Sequence, residues 1–362
     1  MKLKTRLTLV VSLLVAIFVA TVAIILLTTA RNLQTEAASE NMKNLTGLYA
    51  VTLQDQYNGY FSTAKTAAEI MSAYEEVLAE ERRDRYNSVL LSIMESNPDF
   101  LGIWTVWKAN VLDDNDAVYS NAPGTDSSGR FMTWYTRRTG TIEKRPLSQY
   151  ELYNDILANL ENKVAVFSNP YKTPTSKGQI NTARICYPII TKGTIVGRCG
   201  VMLDLTSSQE LITRIKPYGT GRAVLYANDG TIAAHYDPAM IGKKIRDPQS
   251  LSVLGEQAAA KTEQTLKTGQ ADSGSNNGRI FESYPFSVGT STTSWALLSS
   301  VSEDDVLAAV NTLTKITILI IVLAIVIAAV IVFFIVTSTV TNRINVVAGA
   351  IKDISEGEGD LT

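Results

Sequence analysis

The chain contains one histidine, His235, and two cysteines, Cys186 and Cys199, among 362 residues. Zinc and copper centres are built from clusters of such ligands, so this supply makes no convincing metal site. A Ser or Cys nucleophile would have only that one histidine as its base, and no Gly-x-Ser-x-Gly elbow or Walker loop occurs. Asp113 and Asp114 fall in a turn-rich loop without the EF-hand calcium pattern. Basic blocks interleaved with aromatics are missing too, and the formal net charge is −2. That balance gives no footing for a nucleic acid. The expectation is a chain with no catalytic residue, no metal, no cofactor and no nucleic-acid partner. His235, in Ala234-His235-Tyr236-Asp237, reads as the structural end of a strand.

Charge is missing altogether from residues 7–30 and 316–342. Each stretch exceeds the ~20 residues that a helix needs to cross a bilayer's hydrocarbon core. Lys2, Lys4 and Arg6 precede the first, and Arg343 and Lys352 follow the second. By the positive-inside tendency both ends lie in the cytoplasm and the middle lies outside. The alternative for residues 7–30 is a cleaved signal peptide. Its apolar core is longer than such peptides carry, so a retained anchor is expected. The sequence stops soon after a helical pattern begins at 347–354, and a fragment of a longer protein is expected.

Proline is absent from residues 31–96, where glycine occurs only at Gly47 and Gly59. Apolar residues recur there three and four apart: Leu45, Leu48, Tyr49 and Leu53, then Ala64, Ala67, Ile70, Met71, Tyr74 and Leu78. This predicts a long amphipathic helix, broken once near Asn58-Gly59 and stopped by Asn97-Pro98. From Phe100 the composition turns β-branched and aromatic, and Gly102-Ile103-Trp104-Thr105-Val106-Trp107 suits a central strand. Residues 111–129 read as a loop and 147–160 as a short helix. Residues 165–167, 185–191 and 194–203 read as strands, the last two forming a hairpin about Lys192-Gly193. A linking helix at 207–215 leads to a second strand-rich unit. Its strands lie at 219–226 and 231–235, around the turn Asn228-Asp229-Gly230, then at 281–286 and 295–301, with 261–278 loop-like. Two strand-rich units behind one long helix make an α+β layout.

If Lys192-Gly193 is a two-residue loop, Cys186 and Cys199 face each other with Cα atoms roughly 4.5 to 5.5 Å apart. An oxidising compartment then allows a disulfide; the other reading is two small buried thiols. As ligand-binding candidates, Arg130, Trp134 and Tyr135 lie close together beside a glycine-containing loop, with Tyr119 and Tyr171 secondary. A guanidinium fork suits a carboxylate, and aromatic faces wall a small pocket or hold an ammonium group. The same residues also read as packing aromatics and a strand-end arginine.

Four stretches together resemble the amino-terminal part of a bacterial methyl-accepting chemotaxis protein, a chemoreceptor with a double Cache sensor domain. Residues 102–107, continuing through Asn110 and Asp113 to Asp116, resemble the first strand and loop of the membrane-distal Cache module. Ser128-Gly129-Arg130-Phe131 with Trp134-Tyr135 resembles its ligand-facing segment. Gly230-Thr231-Ile232-Ala233-Ala234-His235 with Ile241-Gly242-Lys243 resembles the membrane-proximal module. Gly357-Glu358-Gly359-Asp360-Leu361-Thr362 resembles the end of the first helix and start of the connector of a HAMP domain. The resemblance implies two transmembrane helices flanking a double Cache, PAS-like, extracytoplasmic domain. Its parts are a cytoplasmic tail at 1–6, membrane helices at 7–30 and 316–340, and a long helix at 31–97. The distal module then covers 98–215, the proximal module 216–302, and the start of HAMP 341–362.

Double Cache receptors for amino acids commonly carry an Arg two residues before a Trp-Tyr pair, a Tyr-x-Asp step, and an Asp in a later Gly-Val-Asp strand. Here Trp134-Tyr135 and Tyr171 are present, while Met132 occupies the Arg position with Arg130 two residues earlier. Thr173 and Met202 stand at the two Asp positions, and Asp204 follows two residues on, on the same strand face. The resemblance implies that Tyr119, Arg130, Trp134, Tyr135, Tyr171 and Asp204 bind a small extracellular solute: an amino acid, an amine or betaine, or a carboxylate. It further implies a homodimer in the inner, cytoplasmic membrane. Signals would pass through the second membrane helix and HAMP to a chemotaxis adaptor and kinase, by way of a further cytoplasmic region. The same input modules serve histidine kinases and diguanylate cyclases, and a membrane-anchored binding protein without output is a third reading.

Overall fold

Helix α1 (Leu3–Ser72) runs through Asn58-Gly59 without a break in the computed structural model, which describes residues 3–291 and 293–355. Space is open around Gly59, so nothing there demands a bend. The interruption falls later, at two 3-10 turns, Tyr74–Glu76 and Ala79–Glu81, where the Thr191 hydroxyl donates to the Ser72 carbonyl. Helix α2 (Arg82–Ser96) follows and ends as expected at Asn97, held extended ahead of Pro98.

The first sheet has seven antiparallel strands: β1 (Phe100–Trp107), β2 (Thr133–Thr136), β3 (Glu143–Pro146), β4 (Val166–Phe167), β5 (Tyr171–Thr175), β6 (Gly178–Thr191) and β7 (Thr194–Asp204). Their order is β3-β2-β1-β7-β6-β4, with β5 also paired to β6, so β1 is interior. Short helix α3 (Tyr153–Ala158) lies between β3 and β4 in the chain, and α4 (Thr206–Arg214) leads out of the sheet. The second sheet holds β8 (Arg222–Tyr226), β9 (Ile232–His235), β10 (Asp272–Asn276), β11 (Arg279–Ser287) and β12 (Ser294–Ser302), ordered β10-β11-β12-β8-β9. Helices α5 (Pro248–Leu254) and α6 (Glu256–Thr268) precede β10. Residues 261–278, expected as loop, are therefore the end of α6 and the edge strand β10. The buried stripe of α6 is Ala258, Ala259, Thr262, Thr265 and Leu266, and because all but Leu266 are alanine or threonine it is hidden in the sequence.

One stripe of α1 organises the core: Ala50, Leu53, Tyr57, Phe61, Ala64, Ala67, Ala68 and Met71 are all buried. Their spacing of three and four puts them on one helix face. The stripe packs on both sheets. Phe61 meets Tyr187 of β6 edge-on at 5.7 Å, while Tyr57 lies 6.1 Å from Phe286 of β11 and 5.9 Å from Trp295 of β12.

The β6–β7 hairpin departs from the expected register. Thr191 faces Thr194 and Ile190 faces Ile195, but a bulge at Val196 then pairs Ile189 with Gly197. Beyond it Cys186 faces Gly200 and Cys199 faces Tyr187. A shift of one residue turns a side chain to the other face. Cys199 accordingly packs in the core toward α1 and Cys186 in the cluster on the opposite side, and both are free, buried thiols. Of the two readings of the cysteines, the structure has the buried thiols and not the disulfide, and the bulge undoes the facing register on which a bridge depended.

Toward the carboxyl end come α7 (Glu303–Val306), α8 (Ala308–Ile335), a π-helical turn (Val336–Thr341) and α9 (Asn342–Ser355). Two helical stretches, Thr8–Ser72 and Ala308–Ser338, are long and apolar enough to cross a membrane. Ser39–Glu303 is one compact unit, and the segments flanking it belong to another. The HAMP-like residues 357–362 lie outside the described residues.

Glu282 of β11 is 2% exposed, and it faces Ser299, whose hydroxyl meets Thr46 of α1. Burial pushes its carboxyl from the ordinary 4.5 up to about 7, with Asp272 adding to the rise and Lys43 and Lys261 opposing it. The folded protein thus keeps a proton that the unfolded chain has released, so stability falls as pH rises through that window. Glu282→Gln is expected to remove this loss and to be about 3 kcal/mol more stable than the parent at pH 8, but not at pH 4. Chemical denaturation at the two pH values reads the difference; identical pH profiles for the two proteins would contradict it.

Candidate functional site

The first sheet turns alternate side chains to opposite sides. Ile103, Tyr135, Ile185, Cys199 and Val201 join the core toward α1, whereas Trp104, Trp134, Cys186 and Met202 join a second cluster on the outer face. The register lines up a row across that outer face: Arg145, Trp134, Trp104, Gly200, Cys186 and Val166. Next to it, Gly102, Met202 and Arg184 align in the same way. Two glycines make room for the indoles. A Cβ on Gly200 would collide with the Trp104 ring, and one on Gly102 would come 2.6 Å from Trp134 Nε1.

Residues 147–160 cover this face. Tyr150 packs at 5.3 Å on Trp134, and its hydroxyl bonds to that of Tyr171 on β5. Arg138 lies over Trp134 at 5.5 Å and is held by Glu151 through 2.6 and 3.0 Å hydrogen bonds. Arg184 of β6 donates through Nη2 to Asp155 of α3. Its Nε and Nη1 are buried and have no hydrogen-bond partner in the protein. Every guanidinium nitrogen of Arg198 of β7 has a partner: Nε donates to Cys186 Sγ at 2.8 Å, and the other nitrogens donate to the carbonyls of Asn159, Asn162 and Val164. Arg198 fastens the end of the covering segment to the sheet.

Two clefts of about 350 Å³ each open here. One is lined by Asp155, Asn159, Asn169, Arg184, Cys186 and Arg198, with Asn228 and Thr293 from the second sheet's turns. The other lies beside Trp134, Arg138, Arg145, Gln149 and Glu151. Burial alone would lower the Arg184 pKa, but the hydrogen bond and charge of Asp155 outweigh it and the net shift is upward. Burial raises Tyr150 and Tyr171, and Arg184 acts on both in the opposite sense. Burial also raises the Cys186 thiol, against the pull of Arg198. The phenols and the thiol are neutral at physiological pH and the guanidinium is charged. Chemically, such an arrangement can pair with and orient a polar solute. Among the described residues no group of three or more His, Cys, Asp and Glu is placed to hold a metal.

Of the expected ligand residues, Trp134 and Tyr171 come together here, through Tyr150. Tyr135 follows Trp134 in the strand and so turns to the α1 side. Arg130 is half-buried, and its charge acts on the Tyr153 phenol. Tyr119 sits elsewhere, its ring 4.0 Å from the guanidinium of Arg83, which pairs with Asp113 and Asp116. Asp204 accepts from the amide and hydroxyl of Thr206, so it caps the first turn of α4. At the family's motif positions, Met132 and Met202 pack in the outer cluster, and the Thr173 hydroxyl pairs with that of Thr182. Sequence reasoning passed over Tyr150, Glu151, Asp155, Arg138 and Arg184. Arg184 had a signal: a charged residue between Ala183 and Ile185 marks the outer face of an otherwise apolar strand.

Residues 30–310 match the Cache domain family dCache_1. The methyl-accepting chemotaxis protein TlpQ of Pseudomonas aeruginosa is 24% identical over 203 residues, which cover 50% of this chain and 28% of that protein. The extracellular domain of mmHK1S-Z3, assigned as a histidine kinase, superimposes with a TM-score of 0.62 at 23% identity, covering 78% of this chain and 98% of that one. The periplasmic sensory domain of the Campylobacter jejuni chemoreceptor Tlp1 gives 0.60 at 16% identity, covering 75% and 98%.

The two glycines yield a direct check on this face. Gly200→Ala should cost about 1–3 kcal/mol, because the added methyl meets the Trp104 ring and the Ile185 carbonyl within a packed sheet. Urea denaturation measures it; a change below the measurement error would mean that Trp104 lies elsewhere.

Proposed function

Because the chain belongs to the Cache-domain family, we propose that it is the amino-terminal sensory region of a methyl-accepting chemotaxis receptor. Residues 98–215 and 216–302 are then the distal and proximal modules of a double Cache domain. Residues 7–30 and 316–340 cross the inner membrane and place that domain outside the cytoplasm. The outward apolar surface of both stretches supports this, with Phe18 and Leu319 each 70% exposed. Leu48 and Val51 of α1 are exposed as well and suit contact with a second copy in a homodimer. The similarity to TlpQ supports a chemotaxis output through HAMP, adaptor and kinase. A histidine-kinase output is the second reading, favoured by the fold shared with mmHK1S-Z3.

The ligand is a small solute held on the outer face of the distal sheet. The observation that carries this is Arg184, 8% exposed beside a cleft of about 350 Å³, with two of its three guanidinium nitrogens unpartnered. A buried donor without an acceptor is costly, and an arriving acceptor relieves that cost. A solute that binds one arrangement of the covering segment better than another shifts the balance between them, which is all that signalling requires.

Thermal unfolding of the chain in lipid nanodiscs, screened against small metabolites, tests the reading. A ligand at a hundredfold excess over Kd should add about 2.7 kcal/mol of stability, and Arg184→Ala should abolish that gain. A stabilising solute whose effect survives Arg184→Ala would remove the cleft from the account.

A further inference from the structure

We propose that the solute is a small carboxylate and that Asp155 is its built-in competitor, a carboxylate of the chain that the ligand displaces from Arg184. This rests on the reading of the cleft as the ligand site. It adds the ligand's chemical class and the role of Asp155.

The first argument is the balance of donors and acceptors. The buried polar atoms without partners on this face are all donors: Arg184 Nε and Nη1, Trp104 Nε1 and Trp134 Nε1. The charged acceptors are engaged. Asp155 takes Arg184, Glu151 takes both Nη atoms of Arg138, and the carbonyls above the cleft take Arg198. Without breaking one of these ion pairs a cationic amine would find only neutral groups, such as the Asn169 and Asn228 amides, and no counter-charge. A carboxylate brings what the site lacks, and the planar guanidinium matches its geometry.

The second argument is charge. Two guanidinium groups, of Arg184 and Arg198, reach this cleft against the single carboxylate of Asp155. Met202, next to Arg184 in the register, adds none. The third is the unequal burial of the pair. The Arg184 side chain is 10% exposed and the Asp155 side chain 52%. Asp155 can turn into water at small cost, whereas Arg184 cannot follow, so the acid is the partner that yields. In the closed state Asp155 holds Nη2, the nitrogen that both bidentate edges of the guanidinium share, so it competes with an incoming carboxylate. If the pair is closed roughly nine-tenths of the time, apparent affinity falls about tenfold.

Calorimetric titration of the chain in nanodiscs with acetate, propionate and succinate tests this, with alanine and putrescine as the zwitterionic and cationic comparators. At least one carboxylate should bind, with about tenfold higher affinity in Asp155→Asn and none in Arg184→Ala. Asp155→Asn should also melt lower when free and regain more stability than the parent on adding that carboxylate. That gain separates lost competition from poor folding. Asp155→Ala should show the same tightening.

Carboxylate affinity unchanged in both Asp155 variants would overturn the competitor role. Alanine or putrescine binding that weakens tenfold in Asp155→Asn would make Asp155 the acceptor of an ammonium and overturn the ligand class. So would the failure of all three carboxylates to bind either protein. Binding that survives Arg184→Ala would instead sink the underlying cleft assignment.

Discussion

Tyr57 is the point on which the sensory unit is assembled. Its buried ring lies 5.2 Å from Phe167 of the first sheet and within 6.1 Å of both Phe286 and Trp295 of the second. Its hydroxyl meets Ser208 Oγ of the linking helix at 2.7 Å. Phe167 and Trp295 stack on each other beside it at 4.5 Å. One residue of α1 therefore ties together both sheets and the segment that joins them. Aromatic pairs of this kind contribute about 0.5–1.5 kcal/mol beyond the apolar area they bury. The consequence is positional. α1 consumes one face of each sheet, so the outer face of the first sheet is where side chains remain for other work.

That outer face combines rigid and yielding parts. Trp104 and Trp134 lie over glycines that leave no slack, and Arg198 fastens the covering segment by three carbonyls. Between them Arg184 is fixed by burial, while Asp155 reaches it from a six-residue helix whose acid is half in water. An ion pair with one buried and one exposed member is an unequal contact. Removing the exposed partner leaves a desolvated charge that must find another acceptor. A binding site built this way responds to the arrival of an anion by releasing an element of its own. In the proposed receptor, that release would be the start of the signal.

Much of the architecture was legible because strong local patterns agree with the tertiary arrangement. Gly102 to Trp107 reads as a central strand, since β-branched and aromatic residues suit burial on both faces, and β1 is interior. The interruption of the long helix was misplaced because glycine is only a weak helix breaker, and Gly59 meets no neighbour. The cysteine register was missed because a bulge depends on tertiary contact. Gly197 approaches the Val106 carbonyl so closely that a Cβ would sit 2.6 Å from it, which no hairpin rule reports. The site was legible only in part. Trp134 and Tyr135 are neighbours in sequence, and strand alternation alone should have separated them. Tyr150, Asp155 and Arg184 come from three separate segments, and only folding brings them together.

The central claim is that Arg184 receives a carboxylate in place of Asp155. A crystal structure of the chain grown with a carboxylate that binds it tests this most directly. The account predicts carboxylate density within hydrogen-bond distance of Arg184 Nη2 together with Nε or Nη1, with the Asp155 side chain turned toward solvent. Carboxylate density elsewhere, with the Arg184–Asp155 pair intact, would contradict it.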